Sequence, residues 1–362
     1  MLKLGLVVAA LAMALSALFV ALVRRYAPSA MMDIPNERSS HSLPTPSGGG
    51  IAIVVSSFLV LGGLVLFHYI GIPRAILIGF GLGAGLIAAL GLVDDIFHLD
   101  YRIRLVFQLV GATLILVSIG SFGIISVPFV GHLEQGIFSA ILTLLWIMGL
   151  TNSFNFMDGI DAIAGGQALT AAAAWAIIGF GAGHPEIGLV AIVLAASCLG
   201  FLFYNLPPAS IFMGDVGSLF LGFSFSSLPI ITHRLFPDPF RVRLPVASVL
   251  LLSPFILDSA FTLMARVFRK QRLSLAHRSH LYQRLVISGL SHGKVALLYS
   301  ALGLLGALVG LFYIFSNDRK LADVAAISGV LIVLLAPMIW VLHRERPTRR
   351  GNSTQLSDNR GD

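Results

Sequence analysis

The feature that most constrains this chain is a succession of long apolar stretches with almost no charge inside them. Eleven can be marked: 4–23, 49–69, 74–92, 104–123, 136–151, 167–182, 187–204, 217–232, 246–266, 293–315 and 323–342. About twenty apolar residues of helix cross the hydrocarbon core of a bilayer, where every backbone polar group must be satisfied within the segment. The expected fold class is therefore all-α, a polytopic membrane protein with about eleven transmembrane helices. Charged residues make up only 11% of the chain, where a soluble domain carries roughly 25%. One integral membrane domain is expected over 1–346, followed by a polar tail at 347–362 without fixed structure.

Charge sets the expected orientation. Lys3 precedes the first stretch, and Arg24 and Arg25 follow it, so that stretch reads as a span with its positive end inside and not as a cleaved leader. Alternation then puts segments 93–103, 151–166, 205–216 and 267–292 on the cytoplasmic face, with the N-terminus periplasmic and the C-terminus cytoplasmic. Most Lys and Arg fall there; Arg234, Arg241 and Arg243 do not. The net charge of +7 suits inner-membrane head groups and gives no reason to invoke nucleic acid. Cys198 is the single cysteine, which excludes an intrachain disulfide and a thiolate metal site.

Polar residues at membrane depth are costly and are retained where they face a cavity or do chemistry. TNSFNFMDGIDAIAGG, 151–166, sets down Asn152, Asn155, Asp158 and Asp161 at intervals of three; helix caps are the competing explanation. GLVDDIFHLDYRIRLVFQL, 91–109, pairs Asp94 with Asp95, and neighbouring carboxylates attract a divalent metal. In the same stretch Arg104 and Gln108 stand at i, i+4 and can look into one cavity. NLPPASIFMGDVGSLFLG, 205–222, places Asp215 between Gly214 and Gly217 where a span begins, a setting for metal and phosphate. The loop 267–292 holds His277, Arg278, His280 and Arg284. Its arginines are natural diphosphate ligands, whereas two histidines alone are thin evidence for zinc. Segment 33–50 contains Asn36, Arg38, Ser40 and His41 but no P-loop pattern, and reads as a connector.

Together these stretches put carboxylates, asparagines, arginines and histidines on one membrane face. That set fits metal-assisted chemistry on a phosphorylated substrate. A secondary transporter of an anionic solute, the reading from another class, would place ionisable groups near the midplane between two repeat halves.

The motifs VDD at 93–95, NSFNFMDGID at 152–161, NLPPASIFMGDVGS at 205–218 and HRSH at 277–280 resemble those of the polyprenyl-phosphate N-acetylhexosamine-1-phosphate transferases, in the same order. The resemblance covers about 33–284. It implies attack by undecaprenyl phosphate on the β-phosphorus of a UDP-N-acetylated sugar, giving undecaprenyl diphosphate-sugar and UMP with Mg²⁺ or Mn²⁺. It implies Asp215 as metal ligand, and Asp94 and Asp95 near the lipid phosphate. Asn155, Asp158 and Asp161 fall to the nucleotide pocket with Asn152 and Arg104 beside them. Asn205 lies near the centre, Arg278 and His280, with His277, lie on a loop over the sugar diphosphate, and Asp94, Asp95, Asp215 and His280 count as catalytic. The implied partners are the UDP-sugar, the lipid carrier and the bilayer, with a homodimer allowed. Two departures stand out. Ala162 replaces the last Gly of an Asp-Gly-Leu/Ile-Asp-Gly run, and Tyr282-Gln283 replace histidines of the murein precursor transferases. The second favours the O-antigen-initiating branch; phospho-N-acetylmuramoyl-pentapeptide transfer is the alternative within the class.

Overall fold

The computed structural model describes residues 1–26, 31–33, 44–134, 136–271 and 278–355. It is built from thirteen helices: α1 Leu2–Tyr26, α2 Gly50–Leu66, α3 Arg74–Phe97, α4 Tyr101–Ser118, α5 Ser139–Phe156, α6 Ile163–Gly181, α7 Pro185–Asn205, α8 Gly214–Leu235, α9 Phe240–Leu251, α10 Ser253–Phe268, α11 Leu281–Ile287, α12 His292–Phe315 and α13 Arg319–Gln355. Two short antiparallel ribbons complete the described residues. β1 (Met32–Asp33) pairs with β2 (Thr45–Pro46), and β3 (Ile124–Val127) pairs with β4 (Gly131–Glu134). Ten of the eleven expected apolar stretches each fall on one helix, and the protein is an all-α polytopic membrane protein. Nine helices among the described residues are long and apolar enough to span a membrane, or ten if α9 and α10 form one bent span; α2 is a shorter apolar helix. The helix assigned to α13 runs to Gln355, into the polar segment 347–362, because extending a helix is far easier than starting one.

The stretch 246–266, expected as one span, is broken. α9 and α10 meet at 69°. Pro254 lies at the start of α10, has no N–H to donate, and its ring excludes a helical carbonyl four residues earlier. The freed groups find partners: Gln167 Nε2 donates to the Leu251 carbonyl at 2.8 Å and Ser253 Oγ to the Leu250 carbonyl at 2.8 Å.

α8 is the axis of the bundle. Its residues Val216–Thr232 are buried, and α2, α3, α5 and α9 surround it. Close approach is needed at its N-terminus. A Cβ on Gly91 of α3 would strike the Asp215 and Val216 backbone, and one on Gly50 of α2 would strike Gly217. Small residues allow such contacts between membrane helices. This packing brings the C-terminal ends of α3, α5 and α7 and the starts of α4, α6 and α8 to one end of the bundle. The β3–β4 ribbon and the starts of α9 and α13 lie at the other.

That opposite end explains two of the three arginines that broke the charge rule, Arg243 and Arg241. Arg243 Nη1 donates to the Ile314 and Ser316 carbonyls at 3.2 and 3.0 Å, which closes the C-terminus of α12. Arg241 pairs with Asp238 at 2.7 Å. Their positive charge answers local helix-end acceptors and a carboxylate, not a membrane surface.

Candidate active site

A cavity of about 390 Å³ opens at the end of the bundle where the motifs meet. Its lining includes Asp33, Asp95, Asp158, Asp161 and Asp215, with Asn155 and Asn205, against one cation among the lining residues, Arg278. Five separate stretches of sequence thus converge on one volume.

Asp215 sits in the first turn of α8. Asn155 Nδ2, in the last turn of α5, donates to its Oδ1 at 2.7 Å and to Ser218 Oγ at 3.0 Å. Arg104 Nη1 stands 3.5 Å from Asp215 Oδ2 and 2.8 Å from Asp94 Oδ2. The Asp215 carboxylate is therefore held from both sides and presented to the cavity.

The paired aspartates have different surroundings. Asp95 caps α8 from a neighbouring helix: its two oxygens accept the Asp215 and Val216 N–H groups at 2.8 and 3.1 Å. A carboxylate is favoured at a helix N-terminus, and its presence there corrects the expectation of an α8 terminus open to phosphate. Asp95 still borders the cavity, but Asp94 does not. Asp94 is buried, accepting the Leu99 N–H at 2.7 Å while it pairs with Arg104. The expected catalytic pair is thus one rim carboxylate and one buried anchor for Arg104.

Asp158 and Asp161 lie on the loop between α5 and α6. The Asp158 side chain has no hydrogen bond or ion pair among the described residues, and it faces the cavity. Enclosure by protein, then the charges of Asp215 and Asp95, push its carboxyl well above the ordinary range. Asp161 goes the other way. Burial alone would raise it, but the His292 ring and the Ala209 N–H hold it below the usual range. Asn205 Oδ1 accepts the Ala162 N–H at 2.9 Å and its Nδ2 donates to the Ile211 carbonyl at 2.8 Å. Its amide therefore ties two cavity loops together from the wall.

Besides Asp94, three predicted residues are not delivered to the cavity lining. Asn152 forms a reciprocal pair with Gln108, at 2.6 and 3.3 Å, joining α5 to α4. Arg104 reaches the site only through Asp215. His280 is buried, with Nδ1 3.2 Å from Asp258 Oδ1. Facing Asp258 and not the cavity, His280 is placed to hold its loop, which corrects its expected catalytic position. His277, Asn36, Arg38, Ser40 and His41 lie outside the described residues.

The cavity also has members that the sequence reading missed. Ser47 and Gln283 line it. Asp258 organises its far wall: it accepts from the Leu281 and Tyr282 N–H groups at 2.9 and 3.1 Å, the Tyr299 hydroxyl at 2.6 Å and Thr262 Oγ1 at 3.2 Å. Tyr282 is fully buried and donates its hydroxyl to the Phe156 carbonyl at 3.1 Å. The departure at Tyr282-Gln283 thus splits into a pin, Tyr282, and a lining residue, Gln283. No sequence pattern marks which of two neighbours turns inward.

The donor set fits a divalent cation. The cavity gathers carboxylates with little compensating charge, and one of them, Asp158, has no side-chain partner among the described residues. Among the described residues no group of three or more His, Cys, Asp or Glu converges as a complete cage. Mg²⁺ is in general held by one or two carboxylates together with water and substrate phosphates.

Comparison with known proteins agrees with this geometry. Residues 77–233 match the model of glycosyl transferase family 4. The chain is 34% identical over 312 residues to a probable undecaprenyl-phosphate N-acetylglucosaminyl 1-phosphate transferase of Bacillus subtilis, covering 86% of this chain and 82% of that protein. It is 30% identical to a decaprenyl-phosphate N-acetylglucosaminephosphotransferase of Mycolicibacterium smegmatis, over 83% and 80% of the two chains. It is also 30% identical to a phospho-N-acetylmuramoyl-pentapeptide-transferase of Moorella thermoacetica, over 74% and 84%.

Proposed function

The chain belongs to glycosyl transferase family 4, among the polyprenyl-phosphate N-acetylhexosamine-1-phosphate transferases, and from that premise we propose that it moves an N-acetylated sugar 1-phosphate from a UDP-sugar to undecaprenyl phosphate. N-acetylglucosamine is the first donor to test, because two relatives carry it in their names. The reaction begins a surface polysaccharide, of which O-antigen is one, at the cytoplasmic face of the inner membrane. The observation that carries the reading is the convergence of Asp215, Asp158, Asn155 and Arg278 on one cavity at one end of a membrane-spanning bundle.

The chemistry follows from charge. An oxygen of the lipid phosphate attacks the β-phosphorus of the donor, the bond from that phosphorus to the bridging oxygen breaks, and UMP leaves with the bonding electrons. The attacking phosphate is already largely dianionic near neutrality, its second pKa being about 6, so strong base catalysis is not required. The harder task is to bring two anions together. Asp158 and Asp215 would hold Mg²⁺ or Mn²⁺, which offsets that repulsion when bound. Asn155 and Arg104 keep Asp215 in one orientation, and Arg278 presents a guanidinium to the diphosphate. Asp95 fixes the α8 terminus on which Asp215 stands.

The test is transfer by purified enzyme in detergent, with labelled UDP-N-acetylglucosamine and undecaprenyl phosphate. A butanol-extractable product, matched by UMP, lost in EDTA and restored by Mg²⁺, is expected. Lipid product from UDP-N-acetylmuramoyl-pentapeptide alone, or solute flux into sealed vesicles without lipid product, would overturn the assignment.

A further inference from the structure

Behind one wall of the cavity, the start of α12 carries His292, which no motif marks. Its Nδ1 lies 3.3 Å from Asp161 Oδ1. The other oxygen of that carboxylate accepts the Ala209 N–H at 3.1 Å. Asp161 thus connects three parts of the chain: its own loop between α5 and α6, the loop between α7 and α8, and α12. The next residue, Ala162, gives its N–H to Asn205 at the end of α7, and Asn205 returns to the Ile211 carbonyl. Gly293, beside His292, faces the Pro207 ring of the same α7–α8 loop. Asp161 and Asn205 line the cavity, whereas His292 stands behind them.

Two carboxylates three residues apart on one loop therefore have opposite situations. Asp158 is left open to the cavity, and Asp161 has an imidazole on one oxygen and a backbone donor on the other. An anionic donor entering a volume already rich in aspartate benefits when one of those aspartates is fixed and its charge answered from behind.

We propose that His292 is a positioning residue for nucleotide-sugar binding, holding the two cavity loops at their working separation through Asp161. This rests on the reading of the cavity as the donor site. His292 touches no substrate; it sets where Asp161, Asn205 and the loops that carry them stand. The lipid phosphate is a separate ligand, so the effect of losing His292 falls on one substrate and spares the other.

The experiment uses the full-length enzyme in detergent, with UMP as the binding probe and both substrates varied in turn. His292→Ala is expected to weaken UMP binding and raise KM for the UDP-sugar by about tenfold, the usual lower range for a residue that orients a ligand-contacting group. KM for undecaprenyl phosphate and kcat stay within about twofold of wild type. His292→Asn, which keeps an N–H near the Nδ1 position, restores most of the loss. The double variant Asp161→Ala with His292→Ala binds UMP no more weakly than Asp161→Ala alone, since residues acting in one chain are not additive. Equal loss toward both substrates, no loss, no rescue by Asn, or an additive double variant would each overturn the proposal. If His292→Ala does not fold, UMP affinity of His292→Asn and His292→Phe decides, with Asn expected near wild type and Phe weakened. Wild-type enzyme that binds UMP yet makes no lipid product sinks the transfer reading while these affinities still judge His292. Wild-type enzyme that does not bind UMP sinks both.

Discussion

The two ends of the bundle treat charge in opposite ways. At the end formed by β3–β4 and the start of α13, the main charged groups meet partners, although buried Arg319 Nη1 is left without a hydrogen bond. Arg319 Nε pairs with Asp323 at 3.0 Å and its Nη2 reaches the Tyr313 hydroxyl at 2.7 Å. Asp323 also accepts the Phe129 N–H at 3.1 Å, Tyr313 donates to the Ser126 carbonyl at 2.7 Å, and Arg243 caps α12. That network fastens a ribbon to two helices. At the cavity end, five aspartates border one volume with Arg278, and the Asp158 side chain has no hydrogen bond or ion pair among the described residues. Buried charge is ordinarily paired, so this open end is where the proposed cation and anionic substrate would complete the structure. Polar residues in a membrane protein mark function where their valences are left open and architecture where they are closed.

The comparison can be tested by removing charge from each end. The largest effect is expected at Asp215 and Asp158: Asp215→Asn or Asp158→Asn lowers kcat by about 10²–10³-fold, read as lipid-linked product per folded enzyme. Near-wild-type turnover of Asp215→Asn would break the contrast outright. Asp158→Asn carries a second signature. Its folded-state pKa is raised, so the ionised form is the penalised one. The penalty is absent below the unfolded carboxyl's range, near ~4, and grows as the pH climbs toward the folded value. The variant should therefore melt higher than wild type in EDTA at pH 8 while being inactive.

Next comes Asp95→Ala, which uncaps α8. A lost cap costs about 1–2 kcal/mol, seen as a lower melting temperature, with a smaller fall in turnover than at Asp215. Asp323→Ala at the closed end should cost about 1–3 kcal/mol by leaving the Phe129 N–H without its acceptor. Turnover per folded molecule should be unchanged, and a loss there would show that the closed end is not merely architectural. The smallest effect is expected for Ala162→Gly. Ala162 has φ +64°, the left-handed region, where a side chain costs about 1–2 kcal/mol. Glycine should raise the melting temperature slightly with little change in rate.

Much of this was legible in the chain. Apolar length located the helices, and the clustering of Asp94, Asp95, Asn155, Asp158 and Asp215 near span ends located the functional face. The pattern also flagged Ala162, whose left-handed backbone is one that glycine adopts without strain. What could not be read was direction. Asn152 and Asn155 are three residues apart, yet the first pairs with Gln108 and the second with Asp215. Asp94 and Asp95 are adjacent, yet one anchors Arg104 and the other caps α8. His280 resembled a catalytic group and is held by Asp258, a residue from another helix. Pro254 gave a local reason for a break within 246–266, but hydropathy ran straight through it.

Sequence by itself determined the class of the molecule and the inventory of its chemistry. Transfer of apolar surface out of water and the demand for internal hydrogen bonds depend on composition along a segment, and both can be read from one chain. Tertiary structure decided which polar groups remain open. That outcome depends on what α8, α10 and α12 bring from distant positions, on the closeness Gly91 and Gly50 permit, and on whether a carboxylate meets an N–H group, an imidazole or an empty cavity. Valence is satisfied in space, so the difference between Asp158, left open, and Asp161, tied to His292, exists only once the chain has folded.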